Sequence, residues 1–409
     1  MENSSREAAP SASSRRDFLK NTAVASAPLF VARSAFGAND RIAYGVIATG
    51  GRGRYLNKQF QAVGAQCVAL CDVYEPNLEL AKKDSPADVK TYLDYHELLA
   101  QPGIDAVILA GPDHHHCPML LAALKAKKDA YSEKPLSYSF EDSKKMIDAV
   151  RSSDRVVQVG MQRRSSMPVI RAKRLLDDGV IGTVYQVRPQ WDWNVAKPLN
   201  NSPLPGKLDW DRFLGSAPKR PLEPMRWRAW RQFYDYAGGN MTDQGTHLMD
   251  VAQWFLGSGP PKSAIMNGFI AKTVGAEQPD VFTAVFEYPR HIITWTLNYT
   301  NAYENGWRIT FLGDKGTMIL EETGWRVYAE PWKPDTQPAF QELAVGPDGG
   351  LTGNGAVRAH MLNLIDCMKS RSQPHCTVET AAQAVAGPHL ANLAFKQGRK
   401  VTYEEAVRG

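Results

Sequence analysis

Asp243 and His247 stand four residues apart in the run GGNMTDQGTHLMD at positions 238–250. On one helix face that spacing puts a carboxylate beside an imidazole. The carboxylate would fix the ring's tautomer and raise its basicity, which suits a proton acceptor. An N-capping aspartate with a core histidine is the alternative reading. Asp250, one turn further on, reads as support or as a partner behind the pair. Lys134 sits in Glu133-Lys134-Pro135 after a short apolar run. A lysine at a crevice can hold a substrate hydroxyl or help move its proton, and a cis Pro135 would fix its direction. A Lys–Glu pair in solvent is the alternative. Three consecutive histidines, His114, His115 and His116, follow Gly111-Pro112-Asp113. In an extended loop their side chains diverge and cannot share one ion, so no metal is expected. One should cap the helix expected from residue 118 or flank a cofactor, with the others in solvent.

The element that must position these groups is the stretch at 42–54, IAYGVIATGGRGR. Its first half is an apolar run, read as a buried strand. Its second half carries Gly50, Gly51 and Gly53 and then opens a helical pattern. A strand that breaks into glycines and restarts as a helix aims free backbone N–H groups and the helix dipole at one spot, which suits a pyrophosphate. The spacing is Ala48-x-Gly50-x-x-Gly53, with alanine where the first glycine of the usual pattern stands. Asp72 falls just past the next strand, where a carboxylate would meet ribose hydroxyls. A tight turn without a ligand is the alternative.

From about 41 to 160 strand and helix patterns alternate, as in a doubly wound parallel sheet. Ligands collect beyond the carboxyl ends of such strands. That rule lines up residues 50–53, Asp72, 112–116, Glu133, Lys134 and Gln162 along one crevice. Past 160 the chain turns β-rich, with strands expected at 183–193, 264–271, 281–288, 291–299, 308–312 and 317–320 in a mainly antiparallel sheet with one open face. Residues 282–299 read as a hairpin through Pro289-Arg290. Proline and tryptophan crowd 191–230, a segment expected to wall a site or to meet another copy. Helices are expected at 167–178, 356–369 and 380–396.

The whole chain has 409 residues, 43% apolar and 22% charged, with a formal net charge of +5. Two domains are the expectation from length. The charge is too small and dispersed to argue for nucleic acid, and no run is apolar enough to span a bilayer. The five cysteines show neither metal spacing nor a disulfide framework and read as structural. Residues 14–20, SRRDFLK, precede a mildly apolar stretch and small residues. This resembles a bacterial twin-arginine export signal, with cleavage expected after Gly37 or Ala38. It implies a periplasmic or secreted protein that meets the export machinery already folded and keeps any dinucleotide bound. The expected division is therefore 1–38 signal, 39–161 dinucleotide-binding domain, and 162–409 substrate-binding and oligomerisation domain of α+β type.

The order of A-x-G-x-x-G, Asp72, Gly-Pro-Asp-His-His-His, Glu-Lys-Pro, Gln162-Arg163-Arg164 and Asp-x-x-x-His-x-x-Asp resembles the glucose–fructose oxidoreductase / inositol dehydrogenase / MocA family. The resemblance implies an α/β fold, a Rossmann domain followed by an open-sheet domain that forms dimers or tetramers. It implies a nicotinamide cofactor bound by Ala48, Gly50, Gly51, Arg52, Gly53, Asp72, Pro112, Asp113, His116, Glu133, Lys134 and Gln162. NAD is favoured over NADP because Asp72 would repel a 2′-phosphate, although Arg52 and Arg54 weaken that preference. Lys134, Asp243 and His247 would be catalytic, with His247 the acid/base, Lys134 polarising the reacting oxygen and Asp243 orienting the imidazole. Arg163, Trp191, Arg231 and Tyr234 would join them in holding a sugar or polyol. The implied activity is hydride transfer to or from a sugar or polyol hydroxyl. A redox-neutral glycosidase or lyase passing through a keto-sugar is the second reading, and a non-catalytic sugar or dinucleotide sensor the third.

Overall fold

The computed structural model describes residues 41–344 and 350–408, so the expected export signal lies outside the described residues. The chain is α/β. It opens with β1 (Ala43–Ile47), α1 (Gly51–Ala62), β2 (Gln66–Cys71), α2 (Glu75–Lys83), β3 (Lys90–Tyr92), α3 (Tyr95–Leu99), β4 (Ala106–Leu109), α4 (Asp113–Lys125), β5 (Asp129–Ser132), α5 (Phe140–Arg151) and β6 (Val157–Val159). The six strands form one parallel sheet in the order β3-β2-β1-β4-β5-β6. Both faces are covered, which is why β1 and β4 read as continuous apolar runs. Tyr44 and Val46 point to a core with Leu56, Phe60 and Ile108. Ile47 belongs to the opposite core, with Val107, Leu120 and Met146. After β6 the chain makes a 3-10 turn at Gln162–Ser165 and enters α6 (Met167–Asp177).

The second sheet has nine strands. They are β7 (Val184–Asp192), β8 (Ser263–Phe269), β9 (Val281–Glu287), β10 (Ile292–Asn298), β11 (Gly306–Gly313), β12 (Gly316–Glu321), β13 (Gly324–Ala329), β14 (Phe340–Leu343) and β15 (Val401–Thr402). Their order is β14-β13-β12-β11-β7-β10-β9-β8-β15, and only the β7–β10 pair is parallel. Strict alternation sends Phe286, Ile293, Val187 and Phe311 inward, and Val285, Thr294, Arg188 and Thr310 to the open face. The hairpin at Pro289-Arg290 is present; β13 to β15 are additions to the sequence reading.

Between β7 and β8 lie four short or medium helices, α7 (Trp210–Leu214), α8 (Pro224–Arg228), α9 (Gly239–Asp243) and α10 (Gly245–Leu256). Phe255 of α10 stacks on Phe311 at 5.1 Å, covering the inner face of the second sheet. The chain closes with α11 (Asn354–Ser370), α12 (Val378–Gln397) and α13 (Tyr403–Arg408). Two of these return to the first sheet. Val357, Met361 and Leu364 of α11 complete one core, and Val378, Ala381 and Val385 of α12 complete the other. The first sheet is thus roofed on both faces by the chain's last long helices.

α4 differs from the expected helix. It starts at Asp113, five residues before the expected Pro118, which ends up inside the helix. Tyr236 O accepts from His114 N at 3.2 Å, giving that first-turn N–H a partner from another part of the chain. The three histidines are therefore helical and all buried. Both His114 Nε2 and His115 Nε2 reach Phe213 O, at 2.9 and 2.7 Å. The expectation that two of them face solvent does not hold.

Candidate active site

The glycine turn is built as its spacing requires, with one strained residue. Ala48 has φ 68°, the left-handed region where glycine is at ease, so alanine there carries about 1 kcal/mol of strain. A Cβ on Gly53 would lie 2.1 Å from Ala48 O, so only glycine lets α1 pack on the turn. A Cβ on Gly51 would meet nothing within 4 Å, and one on Gly50 only Asn77 Nδ2 at 3.8 Å. The space above the helix N-terminus is thus open to a phosphate group. Asp72 is buried at the end of β2. Its Oδ2 accepts from Thr49 N at 2.7 Å and Asn77 Nδ2 at 3.2 Å, and its Oδ1 from Tyr74 N at 2.9 Å. Arg52 Nε donates to Glu133 Oε1 at 2.8 Å, tying the start of α1 to the end of β5.

Ala48, Gly50, Gly51, Asp72, Pro112 and Arg231 line a cavity of about 800 Å³, a size suited to a cofactor. Asn77, His115, Trp227 and Trp230 are among the further lining residues, and of these sequence reasoning did not single out Asn77 and Trp230. The two tryptophans come from the Trp-rich crossover expected to wall a site, and their contribution follows from composition only once the fold brings that segment over the cleft. His116 lies elsewhere. Its Nδ1 meets Pro135 O at 2.6 Å and its Nε2 meets Gly111 O at 2.8 Å, so no ring nitrogen is left for a cofactor. Instead it ties the end of β4 to the loop that carries Lys134. The Lys134–Pro135 bond is cis.

Lys134 Nζ donates to Asp243 Oδ1 at 2.6 Å and to Asp243 O at 2.9 Å. Arg231 Nε stands 3.2 Å from the same Oδ1. Burial raises the Asp243 carboxyl, but Lys134 and Arg231 outweigh it and hold the group well below the usual carboxylate range. α9 ends at Asp243 and α10 begins at Gly245, so the four-residue spacing spans a break. Asp243 makes no hydrogen bond to His247 among the described residues, and its expected role of orienting the ring is replaced by anchoring Lys134. His247 is buried in the first turn of α10. Burial first, then Lys134, Arg163 and Arg52, push its pKa well below the histidine range, against the pull of Asp243. The ring is neutral at pH 7, the state a proton acceptor requires. Asp250 pairs with Arg164, whose Nε lies 2.8 Å from Oδ1, and so supports the base of α10.

Asp113 is buried at the head of α4, and burial pushes its carboxyl up to about 6, with His116 pulling the other way. Gln162 Oε1 is buried without a hydrogen-bond partner among the described residues, an acceptor left for a ligand. Arg163 is 2% exposed, and its guanidinium stacks 4.0 Å from the Trp307 ring and 5.8 Å from Trp191. Burial draws it down to about 10. Tyr234 keeps its hydroxyl buried without a hydrogen-bond partner among the described residues. Its ring carries Lys396 Nζ at 3.9 Å, its N–H donates to Glu277, and its carbonyl accepts from Tyr138. All five cysteines are free and buried.

The crossover from β7 also reaches the far end of the cleft. Glu75 N donates to Lys207 O at 3.0 Å and Asp209 N to Val73 O at 2.8 Å. The Tyr74 hydroxyl donates to Pro205 O, and its ring lies 4.3 Å from that of Trp227. These contacts strap residues 205–209 to the loop that follows Asp72.

Comparison with known proteins matches residues 42–161 to the model of the oxidoreductase family with an NAD-binding Rossmann fold. Residues 169–319 match the GFO/IDH/MocA C-terminal domain. A myo-inositol 2-dehydrogenase of Thermotoga maritima is 30% identical over 83% of this chain and 91% of its own. An inositol 2-dehydrogenase/D-chiro-inositol 3-dehydrogenase of Lacticaseibacillus casei is 35% identical over 38% of this chain, which spans under half (46%) of that enzyme. A solved levoglucosan dehydrogenase, in complex with NADH and levoglucosan, shares the fold with TM-score 0.69 at 18% identity, covering 89% of this chain and 99% of its own.

Proposed function

Because the chain belongs to the GFO/IDH/MocA oxidoreductase family, we propose that it transfers hydride between a retained nicotinamide dinucleotide, NAD in preference to NADP, and a CH–OH carbon of a sugar or polyol. The observation that carries this reading is the meeting of Lys134, Asp243 and a neutral His247 in one buried cluster, from three separate elements. His247 takes the hydroxyl proton as the carbinol is oxidised and returns it in the reverse direction. Lys134, fixed by Asp243, donates to the same oxygen and steadies the charge that grows on it. Gly50, Gly51 and the start of α1 hold the dinucleotide's phosphates, and Asp72 its ribose. The relatives named as inositol and levoglucosan dehydrogenases support the substrate class.

The strap at 205–209 supports retention of the dinucleotide, and the twin-arginine pattern at 14–20 supports export of the loaded protein. The open face of the second sheet, with Ile265, Phe269 and Ile292 exposed, supports a dimer or tetramer. A redox-neutral glycosidase or lyase stays the second reading, favoured by the same retention.

The test uses full-length protein matured by its host and purified without added nucleotide. Denaturation should release close to one NAD per chain, and the native protein should show reduced-nicotinamide absorbance when offered a panel of sugars and polyols. Cleavage of glycosides without net reduction would put the second reading first. Absence of dinucleotide, and no binding when it is supplied, would end both.

A further inference from the structure

Four of the cations around His247 have a carboxylate beside them. Lys134 and Arg231 share Asp243, Arg52 is paired with Glu133, and Arg164 is paired with Asp250. Arg163 lacks a carboxylate partner among the described residues. Its Nε and Nη1 are buried without a hydrogen bond, and no carboxylate forms an ion pair with it among the described residues. The nearest acids are occupied elsewhere. Asp250 holds Arg164, and Glu322 accepts from Trp307 Nε1 and from Thr352. The faces of Trp307 and Trp191 hold the guanidinium by its π-system, which leaves its N–H edge unused. A buried cation left in this state costs several kcal/mol and is kept only where something compensates it. A guanidinium edge matches a carboxylate or a phosphate, each taken in two parallel hydrogen bonds.

We propose that Arg163 reads a carboxylate, and that the preferred substrate is a sugar acid or polyol acid whose acid group pairs with this guanidinium while its reacting carbinol lies at Lys134 and His247. The proposal rests on the dehydrogenase reading and narrows its substrate class. Arg163 adjoins Arg164, whose pairing with Asp250 joins this turn to α10 one turn from His247, and so brings the guanidinium and the imidazole into one cluster. Pairing the guanidinium with a bound acid would weaken its repulsion of a proton on His247. Substrate binding thereby makes the ring a better base at the moment it is needed.

The experiment compares each of three acids with its uncharged amide on the NAD-loaded enzyme: D-glucuronate, D-galacturonate and D-gluconate against glucuronamide, galacturonamide and gluconamide. A charged hydrogen-bonded pair is worth about 10- to 100-fold. At least one acid should therefore exceed its amide in kcat/KM by about 30-fold. In Arg163→Gln that ratio should fall to within about 3-fold of unity, whatever the absolute rate. Arg163→Lys, which keeps the charge and loses the fork, should retain an intermediate ratio and guards against a glutamine variant that does not fold. A parallel arm reads the melting temperature of the loaded protein, which an acid should raise and its amide should not. Equal behaviour of acid and amide in all three pairs, or a ratio untouched in both Arg163 variants, would overturn the proposal. If a neutral sugar or polyol reduces the cofactor and none of the acids does, the carboxylate proposal falls and the dehydrogenase reading stands; if nothing offered reduces it, the dehydrogenase reading falls, and the melting arm still decides whether Arg163 selects a carboxylate.

Discussion

His247 owes its readiness to its neighbours more than to its own chemistry. Burial and the cations Lys134, Arg163 and Arg52 keep the ring unprotonated well below pH 6.5. The acid limb of kcat/KM should therefore lie below the usual histidine range, and a limb centred at 6.5 would contradict this account. Replacing His247 by Asn should cut kcat by about 10³-fold, within the range for a lost acid/base, while the bound dinucleotide, assayed after denaturation, stays. Asp113 gives a stability test. Its folded carboxyl, raised to about 6, lies above the unfolded value of about 3.9. The folded state then binds the proton more tightly, so this group lowers stability as pH rises from about 4 to 6. Asp113→Asn should be more stable than the parent at pH 7 by about 2–3 kcal/mol, and the two should converge below pH 4. Urea melts at both values check it. At this scale the sequence showed which residue types gather, since Lys134, Asp243 and His247 each sit in a distinctive run. It did not show that Lys134, 109 positions away, would take the Asp243 carboxylate.

The crossover between β7 and α9 is the element that gives the site its walls. Short-range pattern identified it only as rich in proline and tryptophan, and its backbone bonds to Val73 and Glu75 depend on residues more than 130 positions away. Gly206, at φ 76°, sits where a Cβ would come 2.6 Å from Pro76 Cγ. Gly206→Val should displace the strap. The expected result is at least a tenfold faster release of bound NAD, followed by dilution into an NAD-scavenging assay, with kcat at saturating NAD changed far less. Release at the parent's rate would separate retention from the strap. The histidine run teaches the same lesson in reverse. Read as a loop ahead of Pro118, it is instead the first turn and a half of α4, because Tyr236 and Phe213 of the distant crossover supply partners for His114 and His115.

Across the whole molecule, the dinucleotide sheet depends on the end of the chain. α11 and α12 fill its two cores, and His360 of α11 bridges Ser165 Oγ at 2.7 Å and Val159 O at 2.9 Å. A fragment of residues 41–161 would expose the apolar faces that these helices cover. It should show no cooperative thermal transition by circular dichroism, whereas residues 41–409 should melt as a unit. Cooperative folding of the fragment would show that the two helices dock on an already stable domain. Leu364→Ala in the longer chain should cost about 2–4 kcal/mol, as for other fully buried leucines.

The sequence by itself determined the strands and helices whose signal is local. The apolar runs of β1 and β4, the alternation of β7 to β12, and the glycines of the phosphate turn all follow from backbone sterics and burial period. It determined Asp72 and Gly53 as well, since each is required at a fixed distance from its strand. Tertiary structure alone decided which charges meet. Asp243 turned to Lys134 and Arg231, His116 to two carbonyls, Tyr234 to Lys396, and Arg163 to the rings of Trp307 and Trp191. Electrostatic partnership falls off over a few ångströms in space, and ångströms in space bear no fixed relation to positions along a chain.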